Sequence, residues 1–319
     1  MKKIINRFSA LIADGLRANP FFEKLFVLQG VGISTQRPER LHINSLTDVE
    51  FSVFSQWGED GIIDWLIQNN GVMPETFIEF GVEDFRESNC RFLLKNRNWR
   101  GLVMDGDHKN IDRIRADSIS WRHDLISICQ FIDCENINAL IKSSGIVGEI
   151  GILSIDIDGN DYWIWKSIDS VKPHLVIIEY NAVFGDLEPI SVPYRKDFIR
   201  SKANYSNLYY GTSIGALCKL GSEKGYTFLG SNRAGNNAFF IRNDRFHIFE
   251  PLILKRVAHP SRFRESLDNS GKLNFIGGVV RSDIIKGLPI VNVVTGEQQT
   301  LSQIVSLYSE EWIASMEGR

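Results

Sequence analysis

Five residues could bring hard oxygen ligands together: Asp156, Asp158, Asp161, Glu179 and Asn181. Asp156 closes the run Gly151-Ile152-Leu153-Ser154-Ile155, and Glu179-Tyr180-Asn181 closes Leu175-Val176-Ile177-Ile178. Short apolar runs of this kind read as buried strands. Two acids facing each other at the ends of such strands repel unless something positive joins them. Oxygen donors converging there suit Mg²⁺, Mn²⁺ or Ca²⁺. The calcium loop of an EF-hand is not met, because Gly159 follows Asp158 directly. The competing reading is that these acids close turns and cap the next helix, and it is the stronger one for Asp161.

A second constellation lies upstream. Thr76-Phe77-Ile78-Glu79-Phe80-Gly81-Val82 predicts a buried strand that ends on a carboxylate and turns at a glycine. Ser88 or Asn89 can cap the helix that follows, which carries Phe92, Leu93 and Leu94. A second strand, Gly101-Leu102-Val103-Met104-Asp105-Gly106-Asp107, again ends in acids and glycine. In a strand-helix-strand unit, an acid in the place of Asp105 can accept the ribose hydroxyls of a nucleoside. No GxGxxG loop is present to cradle a pyrophosphate, which weakens a dinucleotide reading. His108 follows the second strand and could line the pocket, whereas His174, before the fifth strand, reads as structural. None of the six histidines has a metal spacing, and no Gly-x-Ser-x-Gly nucleophile motif occurs. Asp156-Ile157-Asp158 also forms an Asp-x-Asp of the type that nucleotide-sugar transferases use to hold a metal on a diphosphate. Trp57, Trp163 and Tyr180 are aromatic neighbours, by default core residues, able to stack on an adenine or a sugar face.

The elements that must position these groups alternate. A loop over residues 54–61 enters a helix with Ile62, Ile63, Trp65, Leu66 and Ile67, ended by Gly71 and Pro74. Helices are expected near residues 111–116, 137–142 and 163–168, with a third strand near 125–131 and Asp133, Cys134, Glu135 and Asn136 at its end. Pro173 is expected to set the turn before the fifth strand. The pattern predicts an α/β fold with a mostly parallel sheet. Residues 186–210 have the length and composition of a lid or substrate-binding insertion. A capped helix over 210–220 follows, then a hairpin of residues 226–229 and 238–242 that completes the sheet. The chain is expected to divide into an N-terminal helix and arm (1–50), a main domain (51–245) and a helical C-terminal extension packed on it (246–319).

Composition sets further bounds. The 319 residues are 43% hydrophobic, 24% charged and 11% aromatic, enough to bury a sizeable core. A net charge of -3 argues against nucleic-acid binding as the main task. Cys90, Cys129, Cys134 and Cys218 show no ligand spacing and read as reduced thiols, which fits a cytoplasmic protein. No apolar stretch is long enough to span a membrane. Ile4, Ile5, Phe8, Leu11 and Ile12 recur at helical spacing, while Asp14, Arg17, Glu23 and Lys24 break any signal-peptide core. A helix packing on the domain or on a second subunit is preferred over a membrane-surface anchor. Residues 31–50 read as a linker or irregular arm.

Taken together, Phe54-Ser55-Gln56-Trp57-Gly58-Glu59-Asp60-Gly61, Glu79-Phe80-Gly81-Val82, Ser88-Asn89 and residues 99–107 resemble one family. Residues 154–163, Glu179-Tyr180-Asn181, Lys224-Gly225-Tyr226 and Asn237-Ala238-Phe239-Phe240 extend the match. The set resembles the FkbM-like group of bacterial S-adenosylmethionine-dependent methyltransferases, over roughly residues 50–245, as an ensemble rather than through any single motif. The resemblance implies a seven-stranded Rossmann-like sheet of the class I methyltransferase type, with a reversed terminal hairpin. It implies a cofactor site of Glu79, Gly81, Asn89, Asp105, Asp133 and Asp156. A divalent metal, Mg²⁺ or Mn²⁺, would sit at Asp156, Glu179 and Asn181 or Asp158. The proton acceptor would be Asp158, Asp161 or His108. The implied reaction is methyl transfer to an oxygen of a small-molecule or glycan acceptor. The sequence departs from the family pattern in its first loop, where Glu83 and Asp84 follow the single Gly81. The alternatives are a glycosyltransferase using Asp156-x-Asp158, and a non-catalytic carbohydrate-binding subunit on the same scaffold.

Overall fold

A computed structural model of the chain describes residues 20–38 and 40–317. Its centre is a seven-stranded sheet. Five strands are parallel: β1 (Thr76–Phe80), β2 (Arg100–Asp105), β3 (Leu125–Cys129), β4 (Gly148–Ile155) and β5 (Val171–Glu179). A two-residue strand, β6 (Ile190–Ser191), lies outside the sheet, and the hairpin β7 (Tyr226–Ser231) and β8 (Asn237–Arg242) completes it. The order is β3-β2-β1-β4-β5-β8-β7, with β8 antiparallel to β5. This is the mostly parallel α/β arrangement with a terminal hairpin that the sequence pattern predicted, and the seven-stranded Rossmann-like sheet that the resemblance implied.

Both faces of the sheet are covered, which is why its strands read as continuous apolar runs rather than alternating ones. On one face, Phe77, Val103 and Ile152 pack with Ile62, Trp65, Leu93 and Ile111 from the helices Glu59–Asn70, Arg91–Arg97 and His108–Ala116. On the other, Ile78, Leu102 and Leu153 pack with Ile137, Trp165 and Leu217 from Ile137–Ser143, Asp161–Ser167 and Ile214–Lys224. The chain starts at β1, winds outward to β3, then crosses back to β4. The strand order therefore reverses between β1 and β4, where open α/β sheets leave a crevice at the strand ends.

Several expectations need correcting. Pro173 lies inside β5, opposite Ile150 of β4 and beyond the last β5 residue paired with β8. Residues 186–210 are no free lid. β6 within them pairs with β9 (Pro289–Asn292), which also pairs with β10 (Gln298–Thr300). Ile190, Val192, Phe198 and Tyr209 pack with Ile285, Ile290 and Leu301. The C-terminal segment is thus mixed rather than helical, and strands this short leave no alternating pattern to read.

Residues 31–36 belong to the helix Pro20–Gln36, and Ile43, Leu46 and Val49 are buried rather than part of a loose arm. That helix docks through Glu23, which pairs with Arg91 and Lys95 at 2.8 Å, while Phe21, Phe26 and Leu28 are exposed. The apolar positions Ile4, Ile5, Phe8, Leu11 and Ile12 lie outside the described residues. No described helix is long and apolar enough to cross a membrane.

Candidate functional site

The carboxyl ends of β1, β2, β4 and β5 open into one cavity of about 1170 Å³. One half is lined by Asp105, Gly106, His108, Phe131 and Ile132, and the other by Trp57, Phe198, Arg200, Phe263 and Glu265. Glu79, Gly81, Asp156 and Glu179 lie between them, with Asn237 beside Glu179. The lining is acidic: nine carboxylates against Arg200 as the sole Lys or Arg. A wall of this sign favours a cation and disfavours a diphosphate.

The first loop is organised by two of these acids. Glu79 accepts from the Ser88 hydroxyl at 2.6 Å and from the amides of Asn89 and Cys90 at 2.8 and 3.1 Å. Burial holds its carboxyl above the ordinary value, and those donors pull the other way. Asp105 accepts from the Glu83 amide at 2.9 Å, from the Asp107 amide at 2.8 Å and from Asn110 at 3.2 Å. Asn89 reaches across to the Ser154 hydroxyl of β4 at 3.1 Å. Gly81 has φ 71°, and a Cβ there would overlap the carbonyl oxygen of Asp156. Its missing side chain thus lets β1 end against β4, while Gly81 itself lines the cavity.

Asp156, Asp161 and Glu179 form the one cluster of three or more His, Cys, Asp or Glu side chains among the described residues whose ligand atoms lie within 4.8 Å of one another. Asp156 and Glu179 face each other there as two acceptors. Burial pushes both carboxyls well above the usual range; Asp158 and Asp161 add to this at Asp156, and Asp156 leads the neighbouring charges at Glu179. Asp161 accepts from the amides of Ile157 and Gly159 at 2.8 and 2.9 Å, which closes the turn before the helix Asp161–Ser167. Burial still lifts it to about 6. Glu179 is 5% exposed, and its Oε2 has no hydrogen-bond partner. Such an orphan acceptor is costly unless a donor or cation meets it. The donor set is therefore one that a divalent ion fits.

Of the expected residues, Asn181 and Asp158 are not brought to this cluster, and Asp133 is not brought to the cavity. The Asn181 amide is spent: its nitrogen donates to the carbonyls of Leu208 and Tyr210 at 2.9 Å, and its oxygen accepts from the Val183 amide. Asp161 takes the third place in the cluster instead. Asp158, at φ 56°, turns out to an ion pair of 2.7 Å with Arg200. Asp133 does not line the cavity. It caps the turn at Glu135 and Asn136 and pairs with Lys196 at 3.0 Å. Burial opposes its charge, but Lys196 and the Asn136 amide hold its carboxyl below the ordinary value. Gln130, Phe131 and Ile132 line the cavity in its place. His108 lies in the half with Asp105, exposed and bonded to Asp107. His174 is buried near the start of β5, against Asn70, far from the chemistry.

The residue reading missed Arg200, which bridges Asp158 and Glu265 and covers the Tyr210 ring at 3.6 Å from its centroid. It also gave no role to Glu59 or Asn237, although both stand in the quoted motifs. Trp57 stacks on Phe263, with ring centroids 5.8 Å apart and planes within 17°, and is 41% exposed.

No family model matches the sequence, and neither does any curated protein. Among solved structures, the chain is similar to an S-adenosylmethionine-dependent methyltransferase from Clostridium acetobutylicum, at 12% identity and TM-score 0.36, over 58% of this chain and 90% of that one. It is also similar to the N-terminal domain of EvdMO1 with SAH bound, at 10% identity and TM-score 0.39, over 59% and 81%. An O-methyltransferase from Bacillus cereus in complex with SAH aligns at 13% identity and TM-score 0.37, over 68% and 89%.

Proposed function

We propose that the chain is an S-adenosylmethionine-dependent O-methyltransferase of the FkbM-like kind, acting on a sugar hydroxyl of a surface polysaccharide or glycosylated metabolite. The observation that carries this reading is the acid-lined cavity at the point where the strand order reverses. S-adenosylmethionine supplies an electrophilic methyl on a sulfonium; transfer to a hydroxyl breaks the C–S bond, forms the ether C–O bond, leaves a neutral thioether and releases one proton. Asp105 would accept from the ribose hydroxyls with the lone pairs it has left, and Phe131 and Ile132 would flank the base. Glu79 and the neighbouring acids favour a cationic centre over a phosphate.

Asp156, Asp161 and Glu179 would hold the divalent ion, which lowers the pKa of a hydroxyl beside it. Asp161 would be spent on the ion, which leaves Asp158 and His108, both on the cavity wall, to take the proton. Trp57 and Phe263 would offer an apolar face to the acceptor ring. Asp158 is committed to Arg200, so the Asp-x-Asp of the glycosyltransferase alternative is not an assembled pair.

Calorimetry with S-adenosylhomocysteine and with a nucleoside-diphosphate sugar, each with and without Mg²⁺, tests the reading. Binding of the first alone is expected. Tight binding of the second with none of the first would sink it, and binding of neither would favour a non-catalytic scaffold.

A further inference from the structure

We propose that Asn237 is a fourth oxygen ligand of the divalent-cation site, and that Glu59 holds its amide in the ligating orientation. This rests on the cation reading above and assigns two residues that reading did not use.

Asn237 is the first residue of β8 and stands directly opposite Glu179 in the antiparallel ladder. Directly opposed residues project from the same face of a sheet, with Cβ atoms about 4.5–5.5 Å apart. Asn237 is 4% exposed and lines the cavity beside Glu179. Its Nδ2 donates to Glu59 Oε1 at 2.9 Å. An ionised carboxylate can only accept, so Glu59 must face the amide nitrogen and never the amide oxygen. Glu59 is itself buried and held in place. Its Oε1 also accepts from Asn232 at 2.6 Å, and its Oε2 from the Trp57 amide at 3.0 Å. The β7–β8 turn is tied to the same network, because Asn232 Oδ1 accepts from the amides of Gly235, Asn236 and Asn237 at 3.1 Å.

The consequence is an orphan. Asn237 Oδ1 is buried and has no hydrogen-bond partner, as is true of Glu179 Oε2 on the facing strand. Two unpartnered acceptors side by side call for a donor or a cation. The nearby guanidinium cannot serve, since Arg200 is committed to Asp158, Glu265 and the Asn207 carbonyl. Adding a neutral amide oxygen to three carboxylates gives a mixed oxygen set of the kind Mg²⁺ and Mn²⁺ accept.

The probe is Mn²⁺ alone, titrated into the full chain and followed by calorimetry and by the loss of the free-ion electron paramagnetic resonance signal. Asn237→Leu, nearly isosteric, should weaken Mn²⁺ binding at least about tenfold. Glu59→Gln should also weaken it several-fold, because a glutamine no longer forces the Asn237 amide to one orientation. S-adenosylhomocysteine affinity within a few-fold of wild type certifies each variant's fold, and Glu59→Gln decides the matter if Asn237→Leu does not fold. Wild-type Mn²⁺ binding that both variants retain unchanged would overturn this inference and leave the cation reading standing. Absence of Mn²⁺ binding in the wild type would overturn both.

Discussion

The α-carbon of Gly81, at the end of β1, packs against the main-chain carbonyl of Asp156, at the end of β4. This joins the first loop to the acidic cluster, and the Gly81 amide also donates to Met104 of β2 at 3.0 Å. Gly81→Ala adds a methyl that meets backbone rather than a flexible side chain. It also forces an L-residue to φ 71°, which alone costs about 1–2 kcal/mol. A lowered melting temperature is expected, with S-adenosylhomocysteine and Mn²⁺ binding both weakened at least about tenfold, a loss of roughly 1.4 kcal/mol or more. Calorimetry that finds either affinity unchanged would show that this contact does not hold the two halves in register.

Asp156→Asn separates the two ligands. The substitution removes a carboxylate from the cluster and leaves Glu79 and Asp105 untouched. Turnover that depends on a divalent ion should be lost, while S-adenosylhomocysteine affinity stays within a few-fold. Activity that survives full chelation in the wild type would mean that no such ion takes part.

Asp105 and Asp133 looked alike in the sequence and should now behave differently. Asp105→Ala is expected to weaken S-adenosylhomocysteine binding by about 1–3 kcal/mol, because it removes a ribose partner and frees the Glu83 and Asp107 amides. Asp133→Ala should leave that affinity within a few-fold and lower stability, since its carboxylate closes a turn and pairs with Lys196 outside the cavity. Equal losses in the two variants, measured by calorimetry, would contradict this assignment.

The contrast shows what was legible. Strands β1, β2, β4 and β5 were readable because each is a compact apolar run ending in an acid, and the hairpin because Gly and Asn separate two β-rich runs. β6, β9 and β10 were not, because two to four residues carry no periodicity. Asp156 and Glu179 could be paired from strand ends alone. Asn181 could not be excluded, since its amide is consumed by carbonyls of Leu208 and Tyr210, far along the chain. Glu59 reads as an ordinary acid in a first helical turn. Its contact with Asn237 spans the whole domain, and local spacing cannot reveal it.

Trp57 provides a test of the acceptor. Its stacked and partly exposed ring should carry the apolar face of a neutral sugar. Trp57→Ala should lower kcat/KM for the acceptor about tenfold, which is roughly 1.4 kcal/mol, and leave S-adenosylhomocysteine binding unchanged. The assay is a mass-spectrometric screen of neutral and acidic glycosides for the gain of one methylene. A preference for acidic acceptors, or indifference to the substitution, would count against the stacking role.

Asp60 makes stability depend on pH in a defined direction. Its Oδ2 accepts from the amides of Val53, Phe54 and Ser55 at 2.6 to 2.8 Å, yet burial pushes the carboxyl from 3.8 up to about 7. Below pH 4 both folded and unfolded chains carry the proton, and the group adds no slope. Between about 4 and 7 the unfolded chain has lost it and the folded chain keeps it. The unfolded state then binds fewer protons, so stability falls as pH rises, by roughly 1.4 kcal/mol per pH unit within that window. Above about 7 both are ionised and the contribution is flat. Asp156, Glu179 and Glu79 are shifted the same way, so the wild type alone cannot isolate Asp60. Asp60→Asn has no carboxyl to titrate. The difference in unfolding free energy, wild type minus variant, should fall between pH 4 and 7 and then level off, as measured by denaturant titration. A difference that rises over that range would mean that the three amides hold Asp60 ionised in the folded chain.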